Sequence, residues 1–548
     1  MNYKERYTRW LESDIVDDAT KEELRGITKS EIEDRFYCDL EFGTGGLRGV
    51  MAAGTNRMNI YTVRLATQGL ANEILELGDD AKKKGVVIAF DSRNNSEKFA
   101  LESAKVLCAN GIRTYLFDGL RPTPELSFAV RYLGCVRGIV ITASHNPKEY
   151  NGYKVYGEDG GQIPPESAKK IMGYILETDI FDGIKVTDKN DAIIIGAEVD
   201  RAYLNAVKSQ SFGVEIPDDY KVVYTPLHGS GNILVRQILK EIGVENIIVV
   251  SEQELPDGNF PTVLSPNPEN HEAFDIAIKY AKKHDADIVF GTDPDSDRIG
   301  IVIKNSNGDY ITLSGNQTGV LLCDYILKKA AEKCALSSES TVVKTIVTTE
   351  MIKAITEKYG VKMVDVLTGF KFIGEQIKIL EENGNSDDFV FGLEESYGYL
   401  RGTYARDKDA VVASMLITEL AAECKAKGIS LYEKLTELYE EYGYYLECLE
   451  TKTLKGIDGR KEIDSIMKKF RTEKLPLDIV VMKDYSKGID GLPKSDVLKF
   501  FLKNGWFAVR PSGTEPKIKF YFGVNSSSEK ESVQELTNLK NRVLGFIS

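Results

Sequence analysis

The chain has 548 residues, 42% of them hydrophobic and 28% charged, the composition of a soluble globular protein with room for three to four domains of ~150 residues. A net charge of −14 argues against a broad nucleic-acid or anionic-membrane surface, though an anionic small substrate remains open if cations gather locally. Seven cysteines without a C-x-x-C spacing, only four histidines, and no apolar run approaching ~20 residues point to reduced thiols in a cytoplasmic chain with no disulfide frame, His-rich metal site, signal core or membrane span.

After amphipathic helical sequence at the N-terminus, Val86–Phe90, Thr114–Phe117 and Gly138–Ile141 read as short apolar strands, separated by helical stretches such as Glu97–Cys108. That alternation predicts βαβ units and a mainly parallel sheet. A charged helix around Asp200–Ser211 and the polar turn Ile216–Asp219 mark a boundary. The pattern then restarts with strands at Lys221–Tyr224, Ile247–Val250 and Asp287–Phe290. It restarts again after Asn307-Gly308-Asp309, with strands at Val342–Val347 and Phe389–Phe391. Three similar α/β units in a row read as a divergent internal repeat. The last hundred residues differ: strands at Asp478–Met482, Trp506–Val509 and Lys517–Phe522 and a closing helix at Ser528–Phe546 suggest a smaller α+β domain.

Chemistry-bearing residues cluster at strand ends, where open α/β sheets place their ligand sites. Ser144 stands in Thr142-Ala143-Ser144-His145-Asn146-Pro147, directly after the Gly138–Ile141 strand; by itself this run reads as a turn serine beside a satisfied histidine. Asp293, Asp295 and Asp297 alternate along one loop after the Ile288–Phe290 strand, and three carboxylates converging there call for a hard divalent cation. The loop is not an EF-hand, because Arg298 and Lys304 occupy the positions of its glycine and glutamate. Arg510, Ser512, Gly513 and Thr514 combine a guanidinium fork, two hydroxyls and glycine-freed backbone, fitting either a phosphate grip or a polar turn. Glu394 and Ser396 follow a strand and suit neighbouring sugar hydroxyls, though alone they read as an acidic turn. The run Arg406-Asp407-Lys408-Asp409 reads as a helix-start charge cluster. The glycine-rich run Gly43–Gly49 fails as a dinucleotide fingerprint because Arg48 fills the sixth position. His228 reads as structural.

Taken together and in this order, the motifs resemble those of the α-D-phosphohexomutase superfamily over nearly the whole chain. The resemblance implies four domains around a central cleft, three similar mixed-sheet α/β domains and a smaller C-terminal α+β domain, here 1–210, 211–311, 312–447 and 448–548. It implies that Ser144 is phosphorylated in the active enzyme and that one Mg²⁺ per site is held by it with Asp293, Asp295 and Asp297. Glu394 and Ser396 match the sugar-binding loop, and Thr368 and Gly369 the loop that orients the sugar ring. Arg510, Ser512, Gly513 and Thr514, assisted by Lys519, match the loop gripping the non-reacting phosphate. Arg48 matches the arginine facing the transferred phosphoryl group, with Arg298 also neutralising charge, and Lys408 matches a general acid/base for which His145 is a rival. Arg48, Lys154, Arg406, Lys408, Arg510 and Lys517 would form a basic cleft, with the fourth domain closing over it. The implied activity is an intramolecular phosphotransfer between glucose 1-phosphate and glucose 6-phosphate through glucose 1,6-bisphosphate, by a monomer or small homo-oligomer. Mannose or pentose phosphates, or a sugar phosphatase, are the alternatives. Leu393 stands where classical glucomutases have glycine before the glutamate pair, and a bulky residue there is similar to the branch containing phosphopentomutases, which turns the question to the choice of sugar.

Overall fold

The computed structural model describes residues 1–43, 45–189, 191–454, 456–512 and 517–547, without the side chains of 456–458. Four sheets follow one another along the chain. In the first, the strands lie in the order Gly46–Val50, Tyr150–Gly157, Arg137–Ile141, Val86–Phe90, Thr114–Phe117 and Ile193–Ile195. The last four run parallel, and Tyr150–Gly157 lies antiparallel to both its neighbours. Side chains alternate between its faces: Val86, Ile88 and Phe90 enter one apolar cluster, Val87 and Ala89 another. Both faces are therefore covered, which is why the strands read as unbroken apolar runs.

The second sheet orders Tyr310–Thr312, Ile299–Lys304, Ile288–Thr292, Lys221–Thr225 and Asn246–Val249; the third orders Lys362–Val366, Thr341–Thr345, Phe389–Glu394 and Gly398–Leu400. Each pairs parallel strands with antiparallel ones at an edge. One apolar cluster runs through both units, joined by the helix Ala410–Ala426, in which fourteen of seventeen residues are buried. The fourth sheet is wholly antiparallel: Tyr444–Thr453, Lys517–Ser526, Gly505–Pro511, Leu498–Leu502, Val481–Asp484. Phe500, Phe507, Phe520 and Phe522 build its own core, while Trp506, Ala508 and Tyr521 on the other face pack on Ile346, Val347 and Leu367 of the third unit.

The first three sheets are mixed, as the resemblance implies, with Gly46–Val50, Tyr150–Gly157 and Ile299–Lys304 adding antiparallel strands to a parallel core. One expectation changes here. The boundaries at 311/312 and 447/448 each cut a strand; sheet membership moves them to just after Thr312 and just before Tyr444. Among the described residues, no helix is long and apolar enough to cross a membrane.

Candidate active site

Ser144 sits just beyond strand Arg137–Ile141 with φ of 53°, the left-handed region that a non-glycine residue adopts only when its surroundings enforce it. The enforcing groups are visible. The Ser144 N–H donates to Thr142 Oγ1 at 2.8 Å, and that hydroxyl donates to Asp91 Oδ2 at 2.6 Å. The buried Arg93 guanidinium donates to the carbonyl oxygens of Ser144, Asn146, Pro147 and Tyr150. The Ser144 hydroxyl is thereby aimed across the domain boundary, donating to Asp293 Oδ2 at 2.6 Å, with His145 Nδ1 3.2 Å away.

Asp293, Asp295 and Asp297 are all buried, and their ligand oxygens lie within 4.8 Å of one another. Backbone N–H groups of Asp297 and Arg298 hold Asp293 Oδ1, each at 3.1 Å. Thr123 Oγ1 and Lys154 Nζ both donate to Asp295 Oδ2, each at 2.8 Å. Lys408 Nζ stands 3.1 Å from Asp297 Oδ2. Asp295 Oδ1 and Asp297 Oδ1 are buried and accept no hydrogen bond, though Arg298 Nε lies 3.7 Å from the latter; such oxygens are costly unless a cation receives them. Burial, then the neighbouring Asp295 and Asp297 charges, push Asp293 well above the carboxylate range. Burial would raise Asp295 too, but the Lys154 charge and hydrogen bond overcome it and hold that group low. All-oxygen donors with two vacant lone-pair positions fit a hard divalent ion such as Mg²⁺.

Lys408, just ahead of the helix that Asp409 caps, also lies 3.2 Å from Asp407 Oδ1. Burial works to lower its pKa, but Asp297, Asp407 and Glu394 outweigh it and raise the value. The carboxylates around Lys408 therefore favour its ammonium form. His145 behaves oppositely, since burial and the Arg298 and Arg48 charges keep its imidazole neutral. Arg48 lies on strand Gly46–Val50 opposite Gly152, not in a loop.

Glu394 ends strand Phe389–Glu394, and its Oε1 accepts the Gly369 N–H at 2.8 Å, a contact made by a backbone with φ of 117°. Thr368, Gly369 and Ser396 are half-buried beside it. Burial raises the Glu394 pKa to about 7. Leu393 points the other way, fully buried in the core against Gly319, so its side chain does not reach the cleft. Its bulk fills space behind the sheet.

From the C-terminal sheet, Arg510 and Lys519 face each other on adjacent strands, and the charges of Glu269, Glu395 and Arg298 reach Lys519. The Ser512 N–H donates to the Lys517 carbonyl at 2.7 Å, closing the hairpin; Gly513 and Thr514 lie outside the described residues. Arg406 leaves the expected basic cleft: its buried guanidinium bonds Glu381 and the carbonyls of Thr403 and Ala405. His228 is structural, its ring nitrogens at 3.0 Å from the Leu255 carbonyl and 2.9 Å from Thr262 Oγ1. Sequence reasoning missed Asp91 and Arg93, although Asp91-Ser92-Arg93 follows a predicted strand as Ser144 does. It also missed Thr123 and Glu269, whose partners Asp295 and Arg298 are remote in sequence.

The architecture and the sequence have matches that agree. The descriptions Phosphoglucomutase/phosphomannomutase alpha/beta/alpha domains I, II and III match residues 39–180, 201–308 and 314–442, and the corresponding C-terminal domain matches 456–539. A phosphoglucomutase of Staphylococcus saprophyticus is 38% identical, covering 96% of this chain and 97% of its own. One of Staphylococcus aureus is 36% identical over 93% and 94%. The fold is shared with parafusin, a phosphoglucomutase from Paramecium solved in an open form, at TM-score 0.71 and 18% identity over 93% and 95% of the chains. A phosphoglucomutase/phosphomannomutase family protein from Burkholderia thailandensis gives 0.68 and 18% over 92% and 97%. The chain belongs to the phosphoglucomutase/phosphomannomutase family of the α-D-phosphohexomutase superfamily.

Proposed function

We propose that the protein interconverts α-D-glucose 1-phosphate and glucose 6-phosphate, with Ser144 carrying the phosphoryl group and glucose 1,6-bisphosphate as the intermediate. The observation that carries this reading is the 2.6 Å hydrogen bond from Ser144 Oγ to Asp293, which sets a strained, buried hydroxyl against a three-carboxylate cluster. Glucose is chosen over mannose or pentose because the full-length relatives at 36–38% identity are named phosphoglucomutases.

Phosphoryl transfer asks for positioning and charge neutralisation. Phosphorylated Ser144 gives its phosphoryl group to the free sugar hydroxyl, the bisphosphate turns over in the cleft, and its other phosphate returns to Ser144. Asp293, Asp295 and Asp297, with the Ser144 phosphate, would hold one Mg²⁺, which supplies charge stabilisation to the transferring group. Arg48 and Arg298 add positive charge beside it. When a phosphate returns to Ser144, protonated Lys408 gives a proton to the departing sugar oxygen and neutral His145 takes the Ser144 hydroxyl proton; in the transfer to sugar both protons run back, from the sugar hydroxyl to the Lys408 amine and from His145 to Ser144 Oγ. Glu394 and Ser396 accept and donate to sugar hydroxyls, Thr368 and Gly369 orient the ring, and Arg510, Ser512, Gly513, Thr514 and Lys519 grip the distal phosphate. The C-terminal domain closes to exclude water, which would otherwise hydrolyse the phosphoserine. The enzyme works in the cytoplasm as a monomer or small homo-oligomer.

With Mg²⁺ and a trace of glucose 1,6-bisphosphate, glucose 1-phosphate is expected to turn over faster than mannose 1-phosphate or ribose 1-phosphate. Net release of inorganic phosphate, or a strong pentose preference, would overturn the reading.

A further inference from the structure

Arg298 stands at the electrostatic centre of the cleft. Its charge acts on His145 of the first unit, on Glu394 and Lys408 of the third, and on Lys519 of the fourth. Yet the guanidinium is already engaged: Nη1 donates to Glu269 Oε1 at 2.5 Å, and Nε, which makes no hydrogen bond, lies 3.7 Å from Asp297 Oδ1. Glu269 lies just ahead of the short helix His271–Phe274, its side chain 28% exposed and its N–H held by Asn267 Oδ1 at 3.1 Å. Its charge also heads those that favour protonated Lys519, the residue opposite Arg510. A carboxylate therefore pairs with one cation assigned to phosphate and acts by its charge on another.

We infer that Glu269 is an exchange partner for substrate phosphate at Arg298, an inference that rests on the mutase reading of the site. An arriving phosphate dianion displaces the Glu269 carboxylate from Arg298 and binds less tightly than it would to a free guanidinium. A departing phosphate hands Arg298 back to Glu269, which restores its close, hydrogen-bonded ion pair beside the more distant Asp297 carboxylate. The cycle needs this, because a bisphosphate can turn over only if each phosphate leaves its cation and finds the other. Glu269 acts through Arg298, as a positioning residue that trades affinity for turnover.

The test compares wild type, Glu269→Gln and Glu269→Asp, all loaded with Mg²⁺. Calorimetry with inorganic phosphate reads the exchange without any turnover; Glu269→Gln is expected to bind it about fivefold more tightly, the scale of one half-exposed ion pair. With glucose 1-phosphate and trace bisphosphate, its KM and kcat are both expected to fall, and Glu269→Asp to return both towards wild type. Unchanged or weaker phosphate binding by Glu269→Gln, or a raised KM with a lowered Tm, would make Glu269 a mere strut and overturn the inference. Absence of mutase turnover in wild type would instead remove the function reading, leaving the phosphate titration to judge Glu269 separately.

Discussion

Burial acts on Glu394 in two ways at once. It aims a strong acceptor at the cleft, and it raises the carboxyl from an ordinary 4.5 to about 7. The folded chain thus binds this proton more tightly than the unfolded chain does. The stability Glu394 contributes is complete below about pH 4.5 and is lost as pH rises through about 7. A site residue here lowers the stability of the working protein, as functional carboxylates commonly do. Glu394→Gln removes the ionisation. Its Tm relative to wild type is expected to rise between pH 6 and pH 8.5, on the order of 1 kcal/mol in stability, while sugar-phosphate turnover falls. Equal Tm differences at the two pH values, measured on chelator-treated protein, would contradict the burial argument.

Strand alternation decides what the neighbouring residue does. Leu393 and Glu394 are adjacent in one strand, so one faces the core and the other the cleft. Leu393→Ala is expected to cost about 2–5 kcal/mol, as for other buried leucines, and to leave the ratio of glucose to mannose 1-phosphate turnover unchanged. A changed ratio at intact Tm would place Leu393 in specificity after all. The same alternation explains what the sequence reveals. Apolar parallel strands such as Val86–Phe90 announce themselves, and with them the strand-end positions of Ser144 and Asp293. Gly46–Val50 carries two glycines in five residues and is a strand only through its pairing with Tyr150–Gly157. Lys154 sits on that partner strand, so its contact with Asp295, 141 residues away, has no local signal. Ion-pair geometry was hidden for the same reason, and Arg406 shows the cost: a basic residue in a motif is not thereby in the cleft.

At the scale of the whole molecule, the cleft is built from contacts between units. Thr123 of the first unit donates to Asp295 of the second, Tyr156 of the first to Asp407 of the third, and the Ile299 N–H of the second to the Tyr397 carbonyl of the third. The C-terminal unit is anchored by buried Lys499, which donates to the Ile346 carbonyl and to Glu350, each at 2.6 Å. These joints hold together the units that carry Ser144, the three buried aspartates, Glu394 and Arg510 in a chain of net charge −14. Such an arrangement makes sense for a phosphoryl group that leaves Ser144 and returns within each turnover. The most direct measurement is a label chase on the intact enzyme. After incubation with glucose 1,6-bisphosphate carrying labelled phosphate, label is expected on Ser144. Unlabelled glucose 1-phosphate should then move it to sugar phosphate at the rate of turnover. Label that stays on the protein through the chase, or that leaves as inorganic phosphate, would contradict the account.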